Sequence, residues 1–285
     1  MSEVDQKNRR SWWLLAPAGL LYGITFVIPL ALLVGLSFAR FEDSITTQGF
    51  YLDNYVKIFT DGITLLIFWK TVLLSIYITV CCFVIGYPFA IFMRNASPRM
   101  QLILMFIIVS PLLTSIVVRN TAWVLILGRS GVINDMLRGS GLIDKPLPLM
   151  YNEFGVILGV VHVYLSFMVL PIFASLQAIP RSVEEGAASL GASPLQVFSN
   201  ITFALSLPGV TAGCTLVFIL SMGVYVTPVI MGGNFVLTLP MLIADSVRNL
   251  YNWPAASAMA FMLLLAVLVM VIVSARLQGR RNRDN

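Results

Sequence analysis

The chain has 285 residues, of which 58% are hydrophobic and 11% are charged, and its net charge is +5. An ordinary soluble domain carries about 25% charged residues, so this composition argues against one. We attribute the basic charge to membrane topology rather than to nucleic-acid binding. All three cysteines lie in apolar stretches without paired ligands at workable spacing, which argues against a disulfide framework or a metal site.

Uncharged apolar stretches long enough to cross a membrane recur six times. About 20 residues span a hydrocarbon core, and a backbone in lipid must be helical to satisfy its polar groups. The predicted fold class is therefore all-α integral membrane. The predicted spans are residues 13–37, 70–93, 101–127, 154–178, 205–231 and 255–276. The first is too long for a cleavable signal peptide and is interpreted as a retained helix. In the fifth, Gly209 and Gly213 form a small-xxx-small face suited to close helix packing.

The predicted connections on the outer side differ in character. The first, 41–68, contains a stretch at 52–59 whose apolar spacing predicts a short surface helix. The second, 128–153, is rich in glycine and proline and is expected to be irregular. The third contains 236–247, where a short helix is expected at the outer surface.

The distribution of lysine and arginine predicts the orientation. With the N-terminus inside, ten basic residues lie on the cytoplasmic side and eight on the other, and two basic clusters directly flank spans, at 7–10 and 280–283. Both termini are therefore predicted to be cytoplasmic. The predicted organisation is a cytoplasmic tail at 1–11, a membrane domain at 12–277 and a second tail at 278–285.

The segment between spans four and five, residues 179–203, is rich in small residues and lies between two long apolar stretches. We call it the 179–203 loop. Pro180 ends span four, because proline does not continue a helix normally. Ser182 and Glu185 have the Ser-x-x-Glu spacing of a capping box, which predicts a short helix at 183–190.

A second short helix is predicted to follow in the same loop. Gly191 supplies the stop, because glycine accepts the left-handed conformation cheaply. Ser193 is the predicted N-cap and Pro194 the first helical residue. Two capped helices joined at a glycine would form a compact element that a partner outside the lipid could bind.

This pattern resembles the signature loop of bacterial ABC-importer permeases, Glu-Ala-Ala-x-x-x-Gly followed by Ile-x-Leu-Pro. By position, Glu185, Ala187 and Gly191 match the first part, and Ile201 matches the isoleucine. The sequence departs from the pattern where Gly186 replaces the first alanine. It departs again where residues 203–204, Phe-Ala, replace Leu-Pro.

The resemblance extends over roughly residues 14–275. It is most specific to the first of the two permease subunits of the spermidine/putrescine-type group. The segments that carry it are residues 54–55, 86–88, 118–119, 128–134, 141–148 and 232–233.

The resemblance implies a type I ABC-importer permease with a cytoplasmic coupling helix in the inner membrane. The coupling residues that it implies are Glu184, Glu185, Gly186, Ala187, Ala188, Leu190, Gly191 and Ala192. The implied partners are two ATP-binding subunits, a second, distinct permease chain and a periplasmic binding protein. Because the sequence has no phosphate-binding Gly-x-x-x-x-Gly-Lys-Ser/Thr motif, ATP and Mg are expected on the partner ATPases. No cofactor is expected on this chain, which is predicted to be a transport subunit rather than an enzyme.

Polar residues within the spans are the candidate solute contacts, since they are costly in a membrane. They are Arg119, Trp123, His162, Tyr164, Tyr225 and Thr227, to which we add Asp245, just outside the sixth span. Arg119 could contact an anionic solute group, pair with Asp245 at an outer gate, or extend to the interface. The group implies a polyamine or related amine. An opine, an amino-acid derivative or an organic anion remains an alternative.

Two other classes of membrane protein were weighed. An ion-coupled secondary transporter would need broken helices and intramembrane carboxylates, and neither is evident in the sequence. An intramembrane enzyme would need a convergent set of catalytic groups, whereas the chain has one histidine.

Overall fold

The computed structural model describes residues 17–42 and 45–284, with side chains through residue 276. The described residues form two compact units. One unit comprises the described part of Met1–Thr64 together with Leu242–Leu264, and the other comprises Leu65–Met241 together with the described part of Leu265–Asn285.

Within the described residues, six helices are long and apolar enough to cross a membrane, as predicted. Their bounds are Pro17–Ser37, Gly62–Asn95, Ile116–Gly139, Glu153–Gln177, Pro194–Met222 and Trp253–Arg276; the third of these includes a turn at residues 128–131 and does not coincide with the span predicted at 101–127. We number the helices in chain order: α1 (Pro17–Ser37), α2 (Asp53–Thr60), α3 (Gly62–Asn95), α4 (Pro98–Val109), α5 (Ile116–Leu127), α6 (Val132–Gly139), α7 (Glu153–Gln177), α8 (Arg181–Ser189), α9 (Pro194–Val197), α10 (Phe203–Met222), α11 (Leu239–Arg248) and α12 (Trp253–Asp284). Residues 13–16 of the first predicted span lie outside the described residues.

The first unit contains a small β-hairpin next to the predicted surface helix. Strands β1 (Arg40–Glu42) and β2 (Ile45–Thr47) pair antiparallel. Helix α2 confirms the short helix expected at 52–59. Its buried Asn54 donates hydrogen bonds to the carbonyls of Ser37 and Ala39 at 3.0 and 2.8 Å, so this one amide holds the end of α1 against α2.

Helix α7 forms the centre of the core of the second unit, because twelve of its residues are buried. Helix α10 packs closely on α7 through the predicted glycine face. A Cβ added at Gly209 would lie 2.5 Å from the carbonyl oxygen of Pro171, and one at Gly213 would lie 3.0 Å from Met168 Sδ. Glycine is therefore required for this approach, and the predicted close contact is confirmed.

The third span is not the single helix expected at 101–127. Helix α4 passes into a 3₁₀ turn at Ser110–Leu113, the backbone is extended at Thr114, and α5 starts at Ile116. Pro111 lacks an N–H donor, and the hydroxyl of Thr114 bonds locally to the Pro111 carbonyl at 2.9 Å. The expectation that no span is broken was therefore wrong.

Two further expectations need correction. The connection at 128–153 is not wholly irregular, because it contains α6, which buried Asn134 fixes by hydrogen bonds to the carbonyls of Gly128 and Leu147. The fifth span, predicted at 205–231, instead starts at Pro194 and ends at Met222, where Gly223 caps the helix. The short helix expected at 236–247 is present as α11.

Candidate functional site: the 179–203 loop and the polar groups of the spans

Helix α8 forms the first half of the 179–203 loop, but it does not begin as predicted. Its N-cap is Pro180, with extended backbone (φ −64°, ψ 134°) and no side-chain cap. The predicted capping box of Ser182 and Glu185 is therefore wrong. Pro180 already occupies the N-cap position, so the helix starts two residues earlier than predicted, at Arg181.

The end of α8 is as expected. Gly191 has φ +88°, in the left-handed region. The Gly191 N–H donates to the Ala188 carbonyl at 3.0 Å, and the Ala192 N–H donates to the Ala187 carbonyl at 3.1 Å. This pair of bonds is a Schellman motif, which satisfies carbonyls at the helix end.

The start of the second short helix, α9, is also confirmed. The Ser193 side chain accepts from the Gln196 N–H at 3.4 Å, and the Gln196 side chain accepts from the Ser193 N–H at 2.8 Å. Helix α9 continues through a π-helical turn, Phe198–Thr202, into α10. The loop is therefore joined to the fifth span without an interruption of the helix.

The acidic residue that organises this loop is Glu184 rather than Glu185. One Glu184 carboxylate oxygen, Oε1, accepts from Arg94 Nη1 and from Thr202 Oγ1, both at 2.7 Å. Arg94 Nη2 also donates to the Ile179 carbonyl at 3.0 Å. The Arg94 hydrogen bond, opposed by partial burial, lowers the pKa of the Glu184 carboxyl below its ordinary value. Glu185 is exposed.

Aromatic side chains fix the other end of the loop to α3. The ring of Tyr87 lies 6.1 Å from that of Phe198 and 5.5 Å from that of Phe203, both edge-on. The Tyr87 hydroxyl is hydrogen-bonded to the Ser206 hydroxyl at 2.9 Å. Sequence patterns do not mark Arg94 or Tyr87 as partners of the loop, because each lies about a hundred residues earlier in the chain.

The surface that the loop presents is apolar for an exposed segment. Leu190 is 91% exposed and Leu195 is 75% exposed. Among the predicted coupling residues, Glu184, Ala187 and Ala192 are half-buried and the others are exposed. One side of the loop is therefore fixed to the spans and the other is accessible, an arrangement suited to binding a partner surface.

Arg119, a predicted solute contact, is bonded to the break in the third span. Its Nη1 donates to the Pro111 carbonyl at 2.6 Å and lies 3.3 Å from Thr114 Oγ1. Its Nε is buried and has no hydrogen-bond partner among the described residues. Asp245 is exposed on α11 and accepts from Asn249 at 2.5 Å. The pairing of Arg119 with Asp245 remains a prediction.

The structure brings several of the other candidates together in the second unit. Trp123 Nε1 donates to His162 Nδ1 at 3.4 Å, and their rings lie edge-to-face at 5.6 Å. Thr227 is buried, and its hydroxyl accepts a hydrogen bond from the side-chain amide of Asn120 at 3.1 Å. The remaining two are half-buried: Tyr164, which donates to the Leu220 carbonyl, and Tyr225.

The described residues include no group of three or more histidine, cysteine or acidic side chains that could hold a metal ion. The candidate site therefore has two parts: a fixed, accessible loop, and a set of polar groups on the third and fourth spans and in the segment that follows the fifth span.

Comparison with known proteins first defines the class. No family model matches the sequence. The fold is similar to a permease chain in the crystal structure of a bacterial alginate ABC transporter bound to its periplasmic protein, with a TM-score of 0.75, 19% identity and 98% of each chain covered. It is also similar to a chain of the MetNI methionine ABC transporter, with a TM-score of 0.54, 17% identity, and 73% of this chain and 91% of that chain covered. The fold is that of a type I ABC-importer permease.

Sequence relatives then define the family. The chain is 31% identical over 247 residues to the spermidine/putrescine transport system permease protein PotB of Escherichia coli K12, covering 86% of this chain and 90% of the relative. It is 30% identical to PotB of Haemophilus influenzae over 262 residues, or 90% of each chain. The inner membrane ABC transporter permease protein YdcU of E. coli K12 is 28% identical over 212 residues, covering 65% of this chain and 67% of the relative. The chain belongs to the family of PotB-type ABC-transporter permeases.

Proposed function

We propose that this chain is one of two permease subunits of an ATP-driven importer in the bacterial inner membrane, with both termini in the cytoplasm. It would carry a polyamine or a related small organic amine from periplasm to cytoplasm. A periplasmic binding protein delivers the solute, and two separate subunits bind ATP and Mg and hydrolyse the nucleotide. No catalytic residue or cofactor is assigned to the chain itself.

The observation that carries the coupling part of this proposal is the construction of the 179–203 loop. A coupling element must be accessible on one side, so that an ATPase can grip it. It must also be fixed on the other side, so that movement is transmitted to the spans. The exposed Leu190 and Leu195 make one side of the loop accessible. The Arg94–Glu184 ion pair fixes the other side.

The solute part rests on the relatives and on the chemistry of the spans. PotB is named for spermidine and putrescine transport. Aromatic faces attract cations, and Trp123 and Tyr164 are partly accessible in the second unit. The candidate set contains no carboxylate within the spans, so other small organic solutes are tested alongside the amines.

A reconstituted complex tests the proposal. The chain is purified with its partner permease and ATPases, placed in proteoliposomes, and supplied with the binding protein and radiolabelled putrescine or spermidine. We expect ATP-dependent uptake together with ATPase stimulation by loaded binding protein. Uptake of an opine, an amino-acid derivative or an organic anion in place of the amines would change the assigned solute but not the class.

The second candidate function is ion-coupled secondary transport. The broken third span favours it, because broken helices are typical of such transporters. The same preparation separates the two. If the purified chain alone moved solute down an imposed ion gradient, without ATPase subunits, the importer proposal would be wrong.

A further inference from the structure

We infer that Arg94 is the positioning residue that makes the 179–203 loop move as one body with the spans. This inference rests on the proposed function. No motif marks Arg94, and the signature pattern directs attention to Glu185 instead. We call the group formed by Arg94, Glu184, Ile179 and Thr202 the loop clamp.

The loop clamp joins four helical elements through one guanidinium and one carboxylate. Arg94 lies in the last turn of α3, Glu184 in the first turn of α8, and Thr202 in the turn that leads into α10. The Ile179 carbonyl, just after α7, is one of the groups that a helix end leaves without an intrahelical partner. Through these contacts, α3 is bonded both to α8 and to the residue that follows α7, and α8 is bonded to the turn that leads into α10.

The chemistry of arginine explains why this residue type is needed. Two different nitrogens of the fork are used, Nη1 for Glu184 and Nη2 for Ile179, at 2.7 and 3.0 Å. A lysine ammonium is a compact point charge at the end of a flexible stem and does not reproduce this fixed fork. The two side chains are only 10% and 23% exposed, so water competes weakly for the pair.

The loop clamp also explains how the two adjacent acids divide their roles. Glu184 has both of its known partners inside this chain, and its position is fixed. Glu185 is exposed one residue later and is left accessible to an ATPase subunit. Loss of the loop clamp would let α8 shift under load, so that ATP is hydrolysed without a matching movement of the spans.

The test compares Arg94→Gln with Arg99→Gln in the complete complex with ATPases, partner permease and binding protein. Arg99 is exposed and lies four residues past the end of α3, as the second residue of α4, so both variants lose the same charge five positions apart. The ATPase subunits that copurify report assembly. The ratio of solute imported to ATP hydrolysed, in proteoliposomes, reports coupling.

We expect Arg94→Gln to assemble normally and to lower that ratio by about tenfold, the factor that corresponds to the loss of roughly one charge-assisted hydrogen bond. Arg99→Gln should keep the wild-type ratio. Glu184→Gln should resemble Arg94→Gln, and the effect of the double variant should be smaller than the two single effects combined, since both single variants remove the Arg94–Glu184 interaction. Arg94→Lys should recover only part of the ratio.

Two further variants keep the test decisive if Arg94→Gln does not fold. Thr202→Val changes little in shape and removes only the second donor to Glu184, and it should lower the ratio by a smaller factor. The exchange Arg94→Glu with Glu184→Arg should restore part of the coupling. A wild-type ratio in Thr202→Val and Arg94→Gln complexes that contain ATPase would overturn the inference. Failure of the wild-type chain to bind any ATPase would instead contradict the proposed function.

Discussion

The close packing of α10 on α7 leads to a quantitative prediction about Gly209. In Gly209→Ala, the new Cβ would lie 2.5 Å from the Pro171 carbonyl oxygen, 2.6 Å from Ser175 Cβ and 3.0 Å from Ile172 Cα. Two of these three neighbours are backbone atoms, which do not move aside as the end of a flexible side chain does. The helices must therefore separate along this contact.

The cost follows from the measured effects of overpacking, which typically destabilise a core by about 1–3 kcal/mol. Because the obstruction at Gly209 is backbone, we expect a value near 3 kcal/mol. Gly213→Ala should cost less, about 1 kcal/mol, since its contacts are longer: the Met168 sulfur lies at 3.0 Å in a flexible side chain, and the nearest backbone atom, the Met168 carbonyl oxygen, lies at 3.1 Å.

The assay is the thermal midpoint of the purified chain in detergent, monitored by loss of the monodisperse peak in size-exclusion chromatography. Gly35→Ala is the matched control, because it is also a helical glycine of a membrane span and a Cβ there meets nothing within 4 Å. We expect the order Gly35→Ala, Gly213→Ala, Gly209→Ala from most to least stable. Equal midpoints for Gly209→Ala and Gly35→Ala would refute the argument that backbone contact requires glycine.

Further predictions concern the 179–203 loop and the outer connection. Gly191→Ala should destabilise the loop by about 1–2 kcal/mol, because the φ of +88° at this position suits only glycine. Gly186→Ala should instead stabilise α8 by up to about 1 kcal/mol, because alanine favours a helix and the added Cβ meets nothing within 4 Å. Rates of protease cleavage within the loop compare the two variants. Asn134→Ala should cost about 1–3 kcal/mol and increase hydrogen exchange at 128–147, since it removes the acceptor of the Leu147 N–H and one of the two donors to each of the Gly128 and Leu147 carbonyls. The pKa of Glu184 is lowered in the fold, so its stabilising contribution is present above the ordinary value of 4.5 and is lost as pH falls below it. The thermal midpoint of Glu184→Gln should therefore fall less on acidification than that of the wild-type chain, because the variant lacks this contribution at every pH.

Features set by neighbouring residues could be predicted from the sequence. The apolar stretches gave the number of spans, because a lipid environment leaves a backbone few choices. Gly191 and Ser193 were correctly assigned, since the left-handed stop and the reciprocal cap with Gln196 depend on residues within a few positions. Gly209 and Gly213 likewise form a local small-xxx-small pattern, whose use is close packing of one helix on another.

Features set by distant residues could not be predicted. Arg94 and Glu184 are 90 positions apart, and their pairing depends on how α3 and α8 pack. The break at Thr114 was missed because Pro111 is often accommodated within a membrane helix as a kink. Ser182 was misassigned because a Ser-x-x-Glu pattern fits a cap equally well one residue inside a helix that proline has already started.

The interrupted third span places a constraint on evolution that is independent of the cargo. Where α4 gives way to α5, the Pro111 carbonyl has no helical donor, and the Arg119 guanidinium supplies one at 2.6 Å. Replacing that arginine would leave the Pro111 carbonyl with the Thr114 hydroxyl as its remaining side-chain donor, whichever solute passes. We therefore expect homologous permeases with the same interruption to retain arginine here for cationic and anionic cargoes alike, so that this residue is a poor indicator of what the transporter carries.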